Sequence, residues 1–203
     1  MLNSLKHKQH RVIEDPKFVK LLFSDARFSV FWLLARVWLG WQWIEASSHK
    51  LSSPAWVDSG EALKGFWMSA VAIPESGRPP ITFDWYRSFL QSMLDAEAYT
   101  WFAKLVAYGE LLIGIALIIG AFVGIAAFFG AFMNFNFMLA GSASTNPVLF
   151  FVALGLIFAW KIAGFIGADY YLLNWIGTPW NRGKFVEEEA SSVPKGKLAG
   201  VTG

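Results

Sequence analysis

Arg36, Glu110, Asn134 and Lys161 are side chains that hydrocarbon does not tolerate, yet each sits inside a run that hydrocarbon would accept. An ionisable group in lipid costs at least about 2.5 kcal/mol, so each is expected to face inward and find a partner. Two cations, one acid and one amide suit a polar pocket: Arg36 and Lys161 attract electron density, Glu110 is their counter-ion or a proton carrier, and Asn134 hydrogen-bonds a carbonyl. Glu110 and Arg36 are the candidate catalytic pair. The same residues also suit a purely structural ion pair, Arg36 with Glu110, with Lys161 snorkelling to the surface. A second set, Glu45-Ala-Ser-Ser-His49-Lys50, closes the first apolar run. Glu45 and His49 are four apart, on one helix face near water, which suits proton exchange with the outside, although an exposed helix-end pair is the commoner meaning of that spacing.

Composition narrows the chemistry. Only 16% of the 203 residues are charged and 55% are apolar, whereas a soluble domain carries about 25% charged residues. Mean hydropathy is +0.43. With 19 Phe, 11 Trp and 5 Tyr the chain is too aromatic to be disordered. A net charge of +2 without a long basic tract argues against a nucleic-acid partner. There is no cysteine, which removes iron–sulfur ligation and thiolate chemistry. The three His, His7, His10 and His49, lie outside the middle of any apolar run, so neither a haem nor a metal site is expected. Redox chemistry would need an organic carrier or another subunit.

The elements that must position these groups read as an all-α integral membrane four-helix bundle. Residues 1–27 form a polar cytoplasmic segment, and residues 28–175 hold spans at about 28–46, 99–120, 123–142 and 148–171. Each is near the 20 residues that cross about 30 Å of hydrocarbon. Residues 47–97, broken by Pro54, Pro74, Pro79 and Pro80, form a long external insert. Short amphipathic helices are expected there over 60–70 and 83–96, the second with Trp85, Phe89, Met93 and Ala96 on one face. Residues 176–203 read as a partly disordered cytoplasmic tail. Cations gather at both termini, which places both ends in the cytoplasm of a multi-pass cell-membrane protein. Trp41, Trp43, Trp101, Trp175 and Trp180 suit an interfacial belt. If the span ends are level, Arg36, Glu110, Asn134 and Lys161 all lie about 12 to 18 Å from the cytoplasmic face, in one layer. Asp169 reads as an interfacial cap, Gly124, Ala127, Ala131 and Asn134 as a packing stripe, and the Ser142 to Asn146 turn as polar without recognisable chemistry.

The segments Arg36-Val-Trp-Leu-Gly40-Trp-Gln-Trp, His49-Lys50-Leu51 with Pro54-Ala-Trp56, Gly109-Glu110-Leu111 with Ile113-Gly114, Leu117-Ile-Ile-Gly120, Asn146-Pro147 and Gly167-Ala-Asp169 together resemble the DoxX-like family over about residues 28–175. The long insert, with Gly77-Arg78-Pro79-Pro80 and Asp84-Trp85-Tyr86-Arg87, resembles the DoxD branch, the membrane subunit of thiosulfate:quinone oxidoreductase. The resemblance implies a prokaryotic four-helix membrane protein that acts with a second subunit, oxidising thiosulfate at the outer face with quinone as acceptor. Arg36, Glu110 and Asp169 match the family pattern. A quinone needs only an apolar slot, a hydrogen-bond donor and a proton route. The expected donors are Arg36, Lys161 or Asn134, and the expected proton relay is Glu110. Lys50, Lys64, Arg78 and Arg87 are the candidate cations for an external anion. The expected partners are the lipid bilayer, quinone, and a second subunit or further copies of the chain. The rival expectation is a membrane scaffold that recruits a soluble redox or stress-response enzyme.

Overall fold

The computed structural model describes residues 15–176. The segment up to residue 14 and the tail from residue 177, with Trp180, lie outside the described residues. The described residues fold into helices, with no strand among them. The helices are α1 (Lys17–Ser24), α2 (Ser29–Leu51), α3 (Pro54–Val57), α4 (Glu61–Val71), α5 (Asp84–Asp95), α6 (Tyr99–Ile119), α7 (Val123–Leu139), α8 (Asn146–Phe158), α9 (Trp160–Ala163) and α10 (Asp169–Ile176).

Four of them close a ring: α2 packs on α6 and α8, and α7 packs on the same two. Leu39, Trp43, Ile113, Leu117, Ala127, Ala131, Ala153 and Leu156 fill its centre. By length and composition α6 alone among the described helices is able to cross a membrane unaided. The apolar helices α7 and α8 are shorter, at 17 and 13 residues, and the 23 residues of α2 include Arg36, Glu45 and Lys50. The outward faces are apolar nonetheless. Leu34, Trp38 and Trp41 on α2, Leu105 and Leu112 on α6, Phe128, Phe129, Phe132 and Phe135 on α7, and Phe151 and Phe158 on α8 are all exposed. Water-soluble monomers do not present that much apolar surface, whereas a membrane protein does.

The α2–α6 contact depends on glycine. A Cβ on Gly40 would lie 2.9 Å from the Gly114 carbonyl oxygen, and one on Gly114 would lie 2.8 Å from that of Gly40 and 2.6 Å from Ile44. Backbone meets backbone, so neither side has a flexible group to move aside. Gly40→Ala is expected to cost about 1–3 kcal/mol by overpacking, read as a lowered melting temperature by circular dichroism in detergent.

Three features differ from the sequence expectation. First, α2 runs to Leu51, five residues past the expected end, so Lys50 is helical. Second, the folded body begins within the segment read as polar: Leu22 and Phe23 of α1 pack on the core, and Trp32 Nε1 donates to the Leu22 carbonyl at 2.8 Å. Third, the stretch 148–171 is not one helix. It breaks after Phe158 and again at 164–168, where Gly164 and Gly167 let the chain cross tightly packed neighbours: an added Cβ on Gly164 would run into the Asp169 side chain, and one on Gly167 would lie 2.9 Å from Arg36.

The insert folds over one end of the ring. Leu63, Trp67, Ala70, Ile81, Tyr86 and Leu90 make a second core with Tyr99, Ala103 and Ala140. The buried stripe of α5 is Tyr86 and Leu90, while Trp85 and Phe89 face outward. Burial pushes the Tyr86 phenol up to about 12, so it stays a neutral donor, 3.1 Å from the Asn136 carbonyl oxygen.

Candidate functional site

A cavity of about 460 Å³ lies at the insert end of the ring, between α2, α6, α7 and the α7–α8 turn. Each helix contributes to its floor because each has a residue there that cannot face lipid. Lys50, in the last turn of α2, reaches Glu110 on α6 with Nζ 2.7 Å from Oε2, and Glu110 is only 1% exposed. The Lys50 ammonium also lies 5.3 Å from the centre of the Trp56 ring, a cation–π approach. Asn134 of α7 is fully buried, and neither its amide nitrogen nor its amide oxygen has a partner among the described residues. Trp43 Nε1 of α2 is buried and unpartnered likewise. Trp56, Phe66 and Phe137 supply aromatic walls, and Gln42, Glu45, His49, Ser142, Ser144, Thr145 and Asn146 complete the lining. The exposed members, Glu45, His49, Ser144 and Thr145, form a polar rim.

Such an arrangement can take a flat, largely apolar group bearing polar atoms. The rings hold its faces, the buried N–H groups bind an oxygen, and the rim gives contact with water. Buried polar groups are nearly always hydrogen-bonded, so two unpartnered side chains on one cavity floor point to a ligand.

The opposite end of the ring holds a different cluster. Arg36 Nη1 donates to the carbonyls of Leu117 and Ile118, and Nη2 to that of Ile166. Asp169 accepts from the backbone N–H groups of Phe122 and Val123, the second at 2.9 Å. Helices leave their last carbonyls and first N–H groups unpaired, and here nearly every one at the α6–α7 turn is satisfied. Gly120 in a left-handed conformation (φ 73°) closes the Ala116 carbonyl. Arg36 takes the next two, the N–H groups of Ala168 and Asp169 take those of Ile119 and Gly120, and the Asp169 carboxylate caps α7. Asp169 thus caps a helix 46 residues earlier in the chain rather than an interface. A smaller cavity of about 290 Å³ lies beside this cluster, lined by Phe122, Ile125, Ile157, Trp160 and Leu173 with Asp169. It offers one acid and no free donor set.

The four residues expected in one layer are therefore split between two ends. Glu110 and Asn134 meet at the cavity. Arg36 is at the other end, holding the carbonyl of Ile118, about 12 Å along α6 from Glu110 at 1.5 Å per residue. Lys161 is exposed on α9 and enters neither cluster. The error comes from taking the helix ends as level: Arg36 sits beside the last turn of α6, so α2 begins about 10 Å beyond it. Of the external cations, Arg78 is exposed, Arg87 is held by Asp84 at 2.7 Å and by the Ile81 carbonyl at 2.6 Å, and Lys64 pairs with Glu61 at 3.2 Å. They do not join Lys50 in one anion site.

Sequence reasoning missed Trp43, Trp56, Phe66 and Phe137 as lining, and passed over the Ser142 to Asn146 turn. Trp43, expected in an interfacial belt, is 2% exposed. The spacing of seven between Trp43 and Lys50 puts both on one face of α2, and it becomes informative only once the helix is known to continue past Ala46.

Among the described residues no group of three or more His, Asp or Glu converges to hold a metal ion. No curated protein and no solved structure is significantly similar to the chain. Residues 31–143 match the DoxX family. That match spans more than half the sequence and takes in Arg36, Trp43, Lys50, Glu110 and Asn134, ending before Lys161 and Asp169. With the apolar outer faces and the apolar α6, it shows what kind of protein this is: the chain belongs to the DoxX family.

Proposed function

We propose that this chain is a four-span subunit of a quinone-linked oxidoreductase, with the quinone head group held in the cavity at the insert end. The spans are α2, α6, α7 and the α8–α9 stretch. Lys17, Lys20 and Arg27, at the end away from the insert, favour a cytoplasmic location for that end and for both termini. The observation that carries the reading is the floor itself: two buried, unpartnered N–H donors, Asn134 Nδ2 and Trp43 Nε1, beside the Lys50–Glu110 pair and between aromatic walls.

A bound quinone accepts two electrons and two protons. Asn134 and Trp43 bind its ring oxygen, and Trp56, Phe66 and Phe137 exclude water from its faces. Lys50 fixes the Glu110 carboxylate, which passes protons between the cavity and the rim, where Glu45 and His49 meet water. The electrons come from a donor on a partner protein. Thiosulfate as that donor, the DoxD-like version, has less support, because Arg87 and Lys64 are already paired and no anion site is assembled among the described residues.

Titrating the nanodisc-embedded protein with a short-tailed benzoquinone tests the reading through tryptophan emission, since Trp43 and Trp56 line the cavity. Saturable quenching is expected, with affinity falling about tenfold in Asn134→Leu, the size of one lost buried hydrogen bond. Quenching that never saturates, or that ignores the substitution, defeats it. The scaffold alternative rests on one feature, the exposed Phe83, Trp85 and Phe89 on the insert. Co-purification of a soluble enzyme that is lost in Trp85→Ser but kept in Asn134→Leu would favour it.

A further inference from the structure

The cavity floor also selects the redox state of what it holds, an inference that rests on the quinone reading of the same site. Asn134 presents two unmet needs: its nitrogen lacks an acceptor and its oxygen lacks a donor. Turning the amide over exchanges the two atoms and leaves both needs in place. Trp43 Nε1, a donor only, adds a second need for an acceptor. Lys50 does not supply the missing donor: its ammonium donates to Glu110 at 2.7 Å and to the Ala46 carbonyl at 3.4 Å, and no donor reaches Asn134 Oδ1.

The ring oxygens of an oxidised quinone are acceptors alone. They satisfy Asn134 Nδ2 and Trp43 Nε1 but set lone pairs against Asn134 Oδ1, leaving a buried acceptor unpaired. A quinol carries the same oxygens as hydroxyls, each a donor and an acceptor. One hydroxyl accepts from the N–H groups and donates to Oδ1, so every unpartnered atom on the floor is met. The Glu110 carboxylate, an acceptor, pulls in the same direction. We propose that this cavity binds quinol more tightly than quinone, and that Asn134 is the residue that discriminates between them.

Leaving a buried acceptor unmet is worth about tenfold in affinity. For a two-electron couple, a tenfold preference for the reduced form raises the midpoint potential of the bound pair by about 30 mV. Quinone in this site is therefore a stronger oxidant than quinone free in the bilayer.

The test is an anaerobic measurement of both dissociation constants for one short-tailed benzoquinone and its quinol, on the full chain in nanodiscs. Quinol is expected to bind about tenfold more tightly. Asn134→Leu, close in volume, is expected to bring the two constants to within about twofold, because the unmet acceptor is gone. Trp43→Phe removes a donor that both forms use, so it is expected to weaken both and keep their ratio. Equal affinities in the unmodified protein, tighter binding of quinone, or a ratio that survives Asn134→Leu overturns the proposal while the quinone reading stands. Failure of both forms to saturate overturns that reading and the preference with it.

Discussion

Arg36→Ala is expected to be the most damaging single substitution in the described chain, costing about 3–5 kcal/mol, the range for removing one partner from a buried charged network. The guanidinium is 1% exposed and its donors hold carbonyls from two separate segments, at Leu117 and Ile118 and at Ile166. Its removal orphans these carbonyls and leaves the buried Asp169 carboxylate without the positive charge beside it. Arg36→Lys is expected to recover only part of the loss, because an ammonium on a flexible stem lacks the planar fork that reaches both segments. The yield of monodisperse protein on gel filtration and the melting temperature in detergent check this. If Arg36→Ala gives normal yield, the cluster is not what holds the α6–α7 turn to the last helices.

The next largest effect is expected at the other end of the ring. Glu110→Ala leaves the part-buried Lys50 ammonium with only the Trp56 ring and the Ala46 carbonyl, costing about 3 kcal/mol, the lower end of the range for a broken buried pair. Exchanging the pair together, Lys50→Met with Glu110→Leu, removes both charges and fills similar volume, a change that is often neutral or stabilising by about 1–4 kcal/mol. The double variant is expected to return to the melting temperature of the unmodified protein and, on the proposed quinone function, to bind quinone while failing to turn over, because no group is left to carry protons to the rim. Recovery of turnover together with the fold shows that the pair only packs the helices.

Residue type was legible in the sequence to the extent that cost in oil made it so. Arg36, Glu110 and Asn134 stand out because each is expensive in hydrocarbon, and all three are buried and face protein. Helix register was not legible, because it follows from how far one helix slides along another. That slide is fixed by the Gly40–Gly114 contact and by Arg36 reaching the end of α6, neither of which shows in a hydropathy pattern. Lys50 was hidden for a related reason. It follows a polar run that resembles a helix end, yet α2 continues through it because the insert covers that end of the ring. The break in the last apolar stretch was legible only in part: Gly164 and Gly167 are visible, but the residues that crowd them, Asp169, Arg36 and Gly120, come together only in the fold.

The cluster at Arg36 also orders events during synthesis. One of its carbonyl acceptors belongs to Ile166, and the cap of α7 belongs to Asp169, both near the end of the described chain. A chain that has completed α2, α6 and α7 but not residues 166–169 still lacks one acceptor for its Arg36 guanidinium and leaves the start of α7 uncapped. Final seating of α2 thus waits on residues more than a hundred positions further along, and a chain that stops before Ile166 cannot lock α2 in place.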